Sequence, residues 1–324
     1  MKPILFTHND LDGASCAIIA KLFFSNIEIH TCSYDNIADN IKKHLSVSSR
    51  RTVIISDISY KQDMDDITDL LLKHDVIIAD HHSSSIWLQY MFPKTNLEES
   101  KNKCGAILLY EILSYVNTYK DEKEITSKKI KKFAYYKKLK HVNNKLYTFL
   151  TLVNEWDLWL WSTSNKDELF NNPSLRLNNA YYLLDFKFIT KAYNYLIGKR
   201  KKLFSYIDEK NITEYCNKQK DDILSYIDNK KTAIYHSKTY GDLKCCLVEM
   251  SNSYQSITSS YILASPSYNE NYDITVLTYE ESGSLRNPKD GINLCTIAME
   301  LGGGGHPYAA GFNWKENKDK FIIK

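Results

Sequence analysis

The sequence predicts an α/β protein: an N-terminal parallel-sheet domain with a helical extension, then a smaller C-terminal α/β domain. Three observations predict it. Buried-strand patterns recur at 3–7, 52–56 and 75–79. Helix-compatible segments separate them, which is the βαβ grammar of a parallel sheet. Beyond a charged, helix-compatible stretch at about 211–231, strand and helix patterns alternate again.

The first strand, Pro3-Ile4-Leu5-Phe6-Thr7, runs into His8-Asn9-Asp10-Leu11-Asp12-Gly13, and a helix is expected over 14–24. Thr52-Val53-Ile54-Ile55-Ser56 ends in Asp57, and 63–73 reads as the next helix. Asp75-Val76-Ile77-Ile78-Ala79 ends in Asp80-His81-His82. Ligands of open parallel sheets bind outside the carboxyl ends of the strands, so these three acid- and histidine-bearing ends could converge on one metal site. From about 104 to 211 the pattern is helical, with apolar spacing at Ile107, Leu108 and Ile112 and at Leu146, Phe149, Leu150 and Val153. Asp221-Asp222-Ile223-Leu224-Ser225-Tyr226-Ile227 fits one packed face of a connecting helix. Strands are then expected at 232–235, 243–250 and 272–279, and helices at 253–264 and 293–301. The expected division is a catalytic domain over 1–213, a connecting helix over 214–231 and a substrate-binding domain over 232–324.

Composition narrows the function. At 324 residues the chain can bury a sizeable core in two domains. A net charge of +3 is too small for a protein dominated by duplex phosphate contacts, and favours a short or locally held anionic substrate. The lysine clusters at 128–138 read as a solvated helix face. Seven cysteines without a C-x-x-C pair argue for a reducing compartment and against structural zinc. With no stretch of membrane-spanning length and no signal-peptide layout, the expected location is cytoplasmic, with no membrane partner.

The set His8-x-Asp10-x-Asp12-Gly13, Asp57, Asp80-His81-His82 and Asp157 precedes Gly302-Gly303-Gly304-Gly305-His306-Pro307-Tyr308-Ala309-Ala310-Gly311. In this order it resembles the DHH/DHHA1 phosphoesterase family at both ends of the chain. The resemblance implies a DHH domain followed by a DHHA1 domain and hydrolysis of a phosphoester by two divalent ions. Such a pair supplies a hydroxide nucleophile and positive charge against the developing oxyanion. Mixed imidazole and carboxylate ligands incline towards Mn²⁺ over Mg²⁺.

By the same resemblance, His8 and Asp10 would hold one ion, Asp12, His81 and Asp157 the other, and Asp57 would bridge them. His82 would then contact the scissile phosphate or its leaving oxygen, with Asp80 orienting a neighbouring histidine. Many relatives space the first motif as H-x-x-x-D-x-D, so the partition of ligands between the ions stays open. Asp10 and Asp12 also fit the N-terminus of a helix beginning near Gly13. Glu155 stands beside Asp157 as a second acid, and Trp156, Trp159 and Trp161 are expected in the core.

The glycine run lets the backbone approach a ligand closely, so that N–H groups of Gly303, Gly304 and Gly305 could cradle a phosphate while His306 adds a donor. A turn between helix and strand is the alternative reading of the same glycines, though two glycines would suffice for it. The resemblance puts Arg286 on a substrate phosphate, where its planar fork suits an anion better than lysine does. It also implies two domains facing each other across a cleft and a nano-RNase-like oligoribonuclease, an exonuclease releasing mononucleotides from short RNA. The alternatives are action on 3'-phosphoadenosine 5'-phosphate, on cyclic or linear dinucleotides or on single-stranded DNA, or nucleotide binding without catalysis. Oligomeric state and cleavage polarity are left open.

Overall fold

The computed structural model describes residues 2–45, 49–98, 102–118, 144–163, 168–264 and 268–324. The lysine clusters at 128–138 lie outside the described residues. The chain divides into two compact units, 1–160 with 173–212 and 161–172 with 213–324.

The first unit holds a five-stranded parallel sheet. Its strands are β1 (Ile4–His8), β2 (Glu28–Cys32), β3 (Thr52–Ser56), β4 (Asp75–Asp80) and β5 (Thr95–Leu97), in spatial order β2-β1-β3-β4-β5. Helices α1 (Leu11–Phe23), α2 (Ile37–His44) and α3 (Asp65–Leu71) connect the first four strands, and a 3-10 segment, Ser83–Tyr90, leads towards β5. The helical extension contributes α4 (Gly105–Thr118), α5 (Asn144–Asp157), α6 (Pro173–Leu184) and α7 (Phe186–Leu196).

Alternation along β1, β3 and β4 sends Ile4, Phe6, Val53, Ile55, Val76 and Ile78 to one face, where they pack with Ile37 and Ile41 of α2 and Ile67 and Leu71 of α3. Helix α1 is buried continuously from Leu11 to Ala20, and packs against α4, α5 and α7. A helix that is apolar all round belongs inside a layer of other helices, and this one anchors the motif that precedes it.

Helix α8 (Tyr206–Asp228) spans the boundary of the two units, so the connecting helix expected at 214 begins two turns earlier. The second unit carries a seven-stranded mixed sheet. Its strands are β6 (Lys231–Ser237), β7 (Gly241–Met250), β8 (Ile274–Tyr279), β9 (Ser282–Arg286), β10 (Gly304–His306), β11 (Ala309–Asn313) and β12 (Phe321–Ile323). The order is β10-β11-β9-β8-β7-β6-β12, antiparallel except for the β7–β8 pair. Helices α9 (Gln255–Leu263) and α10 (Tyr268–Asn271) make the crossover that a parallel pair requires. Helix α11 (Leu294–Glu300) covers the other face through Leu294, Ile297 and Ala298. Part of the glycine run pairs as strand β10 in a hairpin with β11.

Candidate metal centre

Parallel strands place equivalent ends side by side, and here the carboxyl ends of β1, β3 and β4 bring three motif segments together. His8 is the last residue of β1, Asp57 follows β3, and Asp80 ends β4. Asp10 caps α1, its Oδ1 accepting from Gly13 N at 2.9 Å. Its Oδ2 lies 2.6 Å from His8 Nδ1. The capping reading of Asp10 and its place among the donors therefore hold together. The turn leaves no room at Gly13, where a Cβ would stand 2.0 Å from the His8 carbonyl oxygen.

Asp12 is buried and accepts from two amides 93 and 94 residues away, Gly105 N at 2.6 Å and Ala106 N at 2.9 Å. These open α4, so Asp12 caps that helix from another element and complements its dipole. A Cβ on Gly105 would meet Asp57 Cβ at 2.8 Å and Asp12 Oδ2 at 2.9 Å. Cys104 N donates to Asn154 Oδ1 of α5 at 2.8 Å, which ties α4 to the helix that ends in Asp157.

The donors form three overlapping groups with ligand atoms within 4.8 Å of one another: His8, Asp10 and Asp57; Asp12, His81 and Asp157; and Asp57, Asp80, His81 and His82. His81 Nε2 stands 3.4 Å from both Asp57 Oδ1 and Asp157 Oδ2. Asp157, rather than Glu155, is the acid in this group. Asp80 Oδ1 accepts from His81 N at 2.8 Å and His82 N at 3.3 Å, and lies 2.7 Å from His82 Nδ1. Asp57 has φ 60°, a left-handed backbone that Asp tolerates better than most residues, and its amide donates to Ala79 O at 3.0 Å.

The electrostatics are those of an anionic cage. Burial, then the charges of Asp12 and Asp10, push the Asp57 and Asp157 carboxyls well above the usual carboxylate range. Burial raises Asp12 as well, and it lowers His81, with His82 adding to the effect. His82 is raised: burial opposes this, and the bond to Asp80 prevails. Asp10 is lowered in the same manner, burial being outweighed by the bond to His8. Asp57 Oδ2, Asp157 Oδ2, Asp80 Oδ2 and His81 Nε2 are buried with no hydrogen-bond partner among the described residues. Buried polar atoms are normally paired, so orphaned oxygens and an imidazole nitrogen around one point are what cation binding satisfies. The donor set, carboxylates with two imidazoles, fits divalent cations.

Tyr34, absent from the sequence reading, borders the site, with ring centroids 5.6 Å from His8 and 6.1 Å from His82 and 46% of its surface exposed. It follows edge strand β2, whose mixed residues Glu28-Ile29-His30-Thr31-Cys32 gave too little apolar signal. Trp161 is buried as expected, whereas Trp156 and Trp159 are half-buried.

Arg286 and the glycine run belong to the second unit. Arg286 ends β9, and Ala309 of β11 pairs with Arg286 on one side and His306 on the other, so all three share one row of the sheet. Arg286 Nη1 donates to Leu285 O at 2.9 Å, and burial lowers the guanidinium to about 10. Gly303, Gly304 and Gly305 are exposed.

Residues 2–136 match the DHH family, N-terminal domain, and residues 246–324 match the DHHA1 domain. Fold and site together define a DHH-type phosphoesterase, and the chain belongs to the DHH/DHHA1 family. It is 25% identical over 333 residues to oligoribonuclease NrnB of Bacillus subtilis (strain 168), a match covering 95% of this chain and 71% of that protein. Its fold is similar to that of PggH, a pGpG-specific phosphodiesterase from Vibrio cholerae (14% identity, TM-score 0.54, covering 98% of this chain and 96% of that one). It is also similar to exonuclease RecJ bound to manganese (13% identity, TM-score 0.55, covering 98% and 88%).

Proposed function

We propose that this protein is a manganese-dependent oligoribonuclease that hydrolyses short RNA to mononucleotides. The observation that carries this reading is the meeting of two donor groups, His8–Asp10–Asp57 and Asp12–His81–Asp157, at one set of strand ends, with buried orphaned atoms among them. The similarity to oligoribonuclease NrnB along nearly the whole chain supports the substrate class.

In this reading His8 and Asp10 would hold one divalent ion, Asp12, His81 and Asp157 would hold a second, and Asp57 would serve both. Bound there, the pair supplies a hydroxide at neutral pH and positive charge for the developing oxyanion. Asp80 fixes the His82 ring through Nδ1, so the remaining nitrogen, Nε2, faces its task in one tautomer. Burial opposes protonation of His82 and the bond to Asp80 raises it above its ordinary value, and Nε2 contacts the scissile phosphate or its leaving oxygen.

Catalysis belongs to residues 1–213 and substrate anchoring to 232–324, with 214–231 between. Arg286 and the segment Gly303, Gly304, Gly305 and His306 hold a substrate phosphate. Strand β10 lies at the sheet edge, and an edge strand presents backbone groups that no neighbouring strand uses. The cytoplasm is the expected compartment: the seven cysteines form no disulfide among the described residues, and six are buried. No helix among the described residues is long and apolar enough to cross a membrane.

A Mn²⁺-dependent time course tests the reading, using labelled RNA from dinucleotides up to about twenty-four residues, with matched DNA, 3'-phosphoadenosine 5'-phosphate, pGpG and cyclic di-AMP beside it. Preferential loss of the shortest RNAs, one nucleotide at a time and abolished by Asp57→Ala, is the expected result. Rapid turnover of the bisphosphate or of a cyclic dinucleotide with RNA spared would overturn the substrate. Absence of metal-dependent cleavage of every substrate would overturn the activity.

A further inference from the structure

A second set of metal-ligating side chains lies in the first unit, away from the strand ends just described. Glu28 and His30 alternate on one face of edge strand β2, and His44 closes the last turn of α2. Glu28 Oε1 stands 2.8 Å from His30 Nε2 and 3.7 Å from His44 Nδ1, and one donor atom from each residue lies within 4.8 Å of the others. The two imidazoles overlap, with ring centroids 3.8 Å apart and planes inclined by 33°. Phe6 stacks on His30 from the neighbouring strand at 5.6 Å. All three donors are half-buried, with side chains 20–32% exposed, so they are shaped by the fold yet reachable from solvent.

The support around these donors is of the kind that metal sites use. Arg51 Nη2 donates to Glu28 Oε2 at 2.9 Å, and Arg51 Nε donates to Lys2 O at 2.9 Å. The guanidinium takes one carboxylate oxygen and leaves the other aimed at the histidines, as outer partners orient a ligating carboxylate. Tetrahedral ligands on a 2.0–2.1 Å ion are about 3.3 Å apart, so the two spacings from Glu28, 2.8 and 3.7 Å, lie within about half an ångström of that, while the stacked imidazoles must splay apart for both nitrogens to face one ion. Register separates this group from the first centre: His30 pairs with Phe6, and Cys32, two residues on, pairs with His8. Glu28 lies at the opposite, amino end of the strand.

We propose that Glu28, His30 and His44 form a second divalent-metal site that takes a borderline ion of the zinc class and clamps the end of α2 to β2. Two nitrogens and one oxygen select such an ion over magnesium or calcium. Three protein ligands leave one position for water.

The experiment loads the full-length, metal-stripped protein with Zn²⁺ by equilibrium dialysis and counts zinc per chain by elemental analysis. Wild type is expected to hold one zinc more than His44→Gln and than the His30→Gln/His44→Gln double variant, with the catalytic donors untouched in all three. Equal zinc content in folded variants and wild type would overturn the proposal. A second measurement needs no variant: in ¹⁵N-histidine spectra of wild type, assigned through the backbone, zinc is expected to shift His30 Nε2 and His44 Nδ1. If those two resonances stay still while those of the first centre move, the site does not exist.

Discussion

Asp80 shows how much one side chain can organise within its own motif. Its Oδ1 gathers both amides and the His82 ring of its own motif, so Asp80→Asn should leave the fold intact while releasing the ring. The expected loss is about 10- to 100-fold in kcat with KM little changed, the range for removing a partner that orients a functional histidine. Asp57 behaves differently. Its carboxyl is raised by burial and by the charges of Asp12 and Asp10, so the metal-free fold binds protons that the unfolded chain has already released. Stability of the metal-free protein from this group therefore falls as pH rises above the unfolded carboxylate value of about 3.9. Asp57→Asn should raise the melting temperature of the metal-free protein at pH 7 while reducing hydrolysis at least 100-fold. A melting temperature that drops in the chelated variant would contradict the account of an anionic cage.

At the scale of elements, the sequence was informative wherever an apolar run ended in an acid. Strands β1, β3 and β4 and helices α1 and α3 were legible because burial on both faces leaves a continuous apolar signal. Edge strands β2 and β5 were not, since an edge needs less apolar surface. The junction between Asp12 and α4 was invisible for another reason: its partners are more than ninety residues apart and carry only backbone amides. Gly105→Ala should push α4 off Asp12 and Asp57 and cost on the order of 2 kcal/mol by urea unfolding. Helix α8 offers a cleaner electrostatic test. Ser205 N and Oγ and Lys191 Nζ converge on Asp208 Oδ2, while Asp208 N donates back to Ser205 Oγ, a reciprocal cap at the helix start. Burial opposes these donors, yet they hold the Asp208 carboxyl at about 2. Its stabilisation is present above the unfolded value near 3.9 and lost as pH falls through about 2. Asp208→Asn should thus cost on the order of 1 kcal/mol at pH 7 and almost nothing at pH 2.

For the whole molecule, the order of motifs announced two α/β units, and the described residues contain both. What the sequence obscured was the sheet of the second unit. Of its seven strands β6, β7 and β8 have the length and apolar density of core strands; β12 is apolar but only three residues long, and β9, β10 and β11 are rich in Ser, Gly and Ala and carry little apolar signal. Small residues suit them because the strands approach closely: a Cβ on Gly283 would fall 2.5 Å from the Phe312 ring. If the second unit anchors substrate, Arg286→Ala should raise KM at least 10-fold while metal content stays at the wild-type level, and Arg286→Lys should recover little, because lysine cannot reproduce a bidentate fork. Unchanged KM in Arg286→Ala would remove this residue from the substrate site.

Asp12 has a bearing on how variants of this protein are to be interpreted. One carboxylate serves as a candidate ligand and as the cap that seats α4. An inactive Asp12→Ala protein would therefore report the unseating of a helix as readily as the loss of an ion, and genetic screens scoring only activity will overcount ligands there. Asp157, the last residue of α5, has an Oδ2 that accepts no hydrogen bond among the described residues and faces only His81 Nε2 at 3.4 Å, so a substitution there disturbs less of the architecture than one at Asp12.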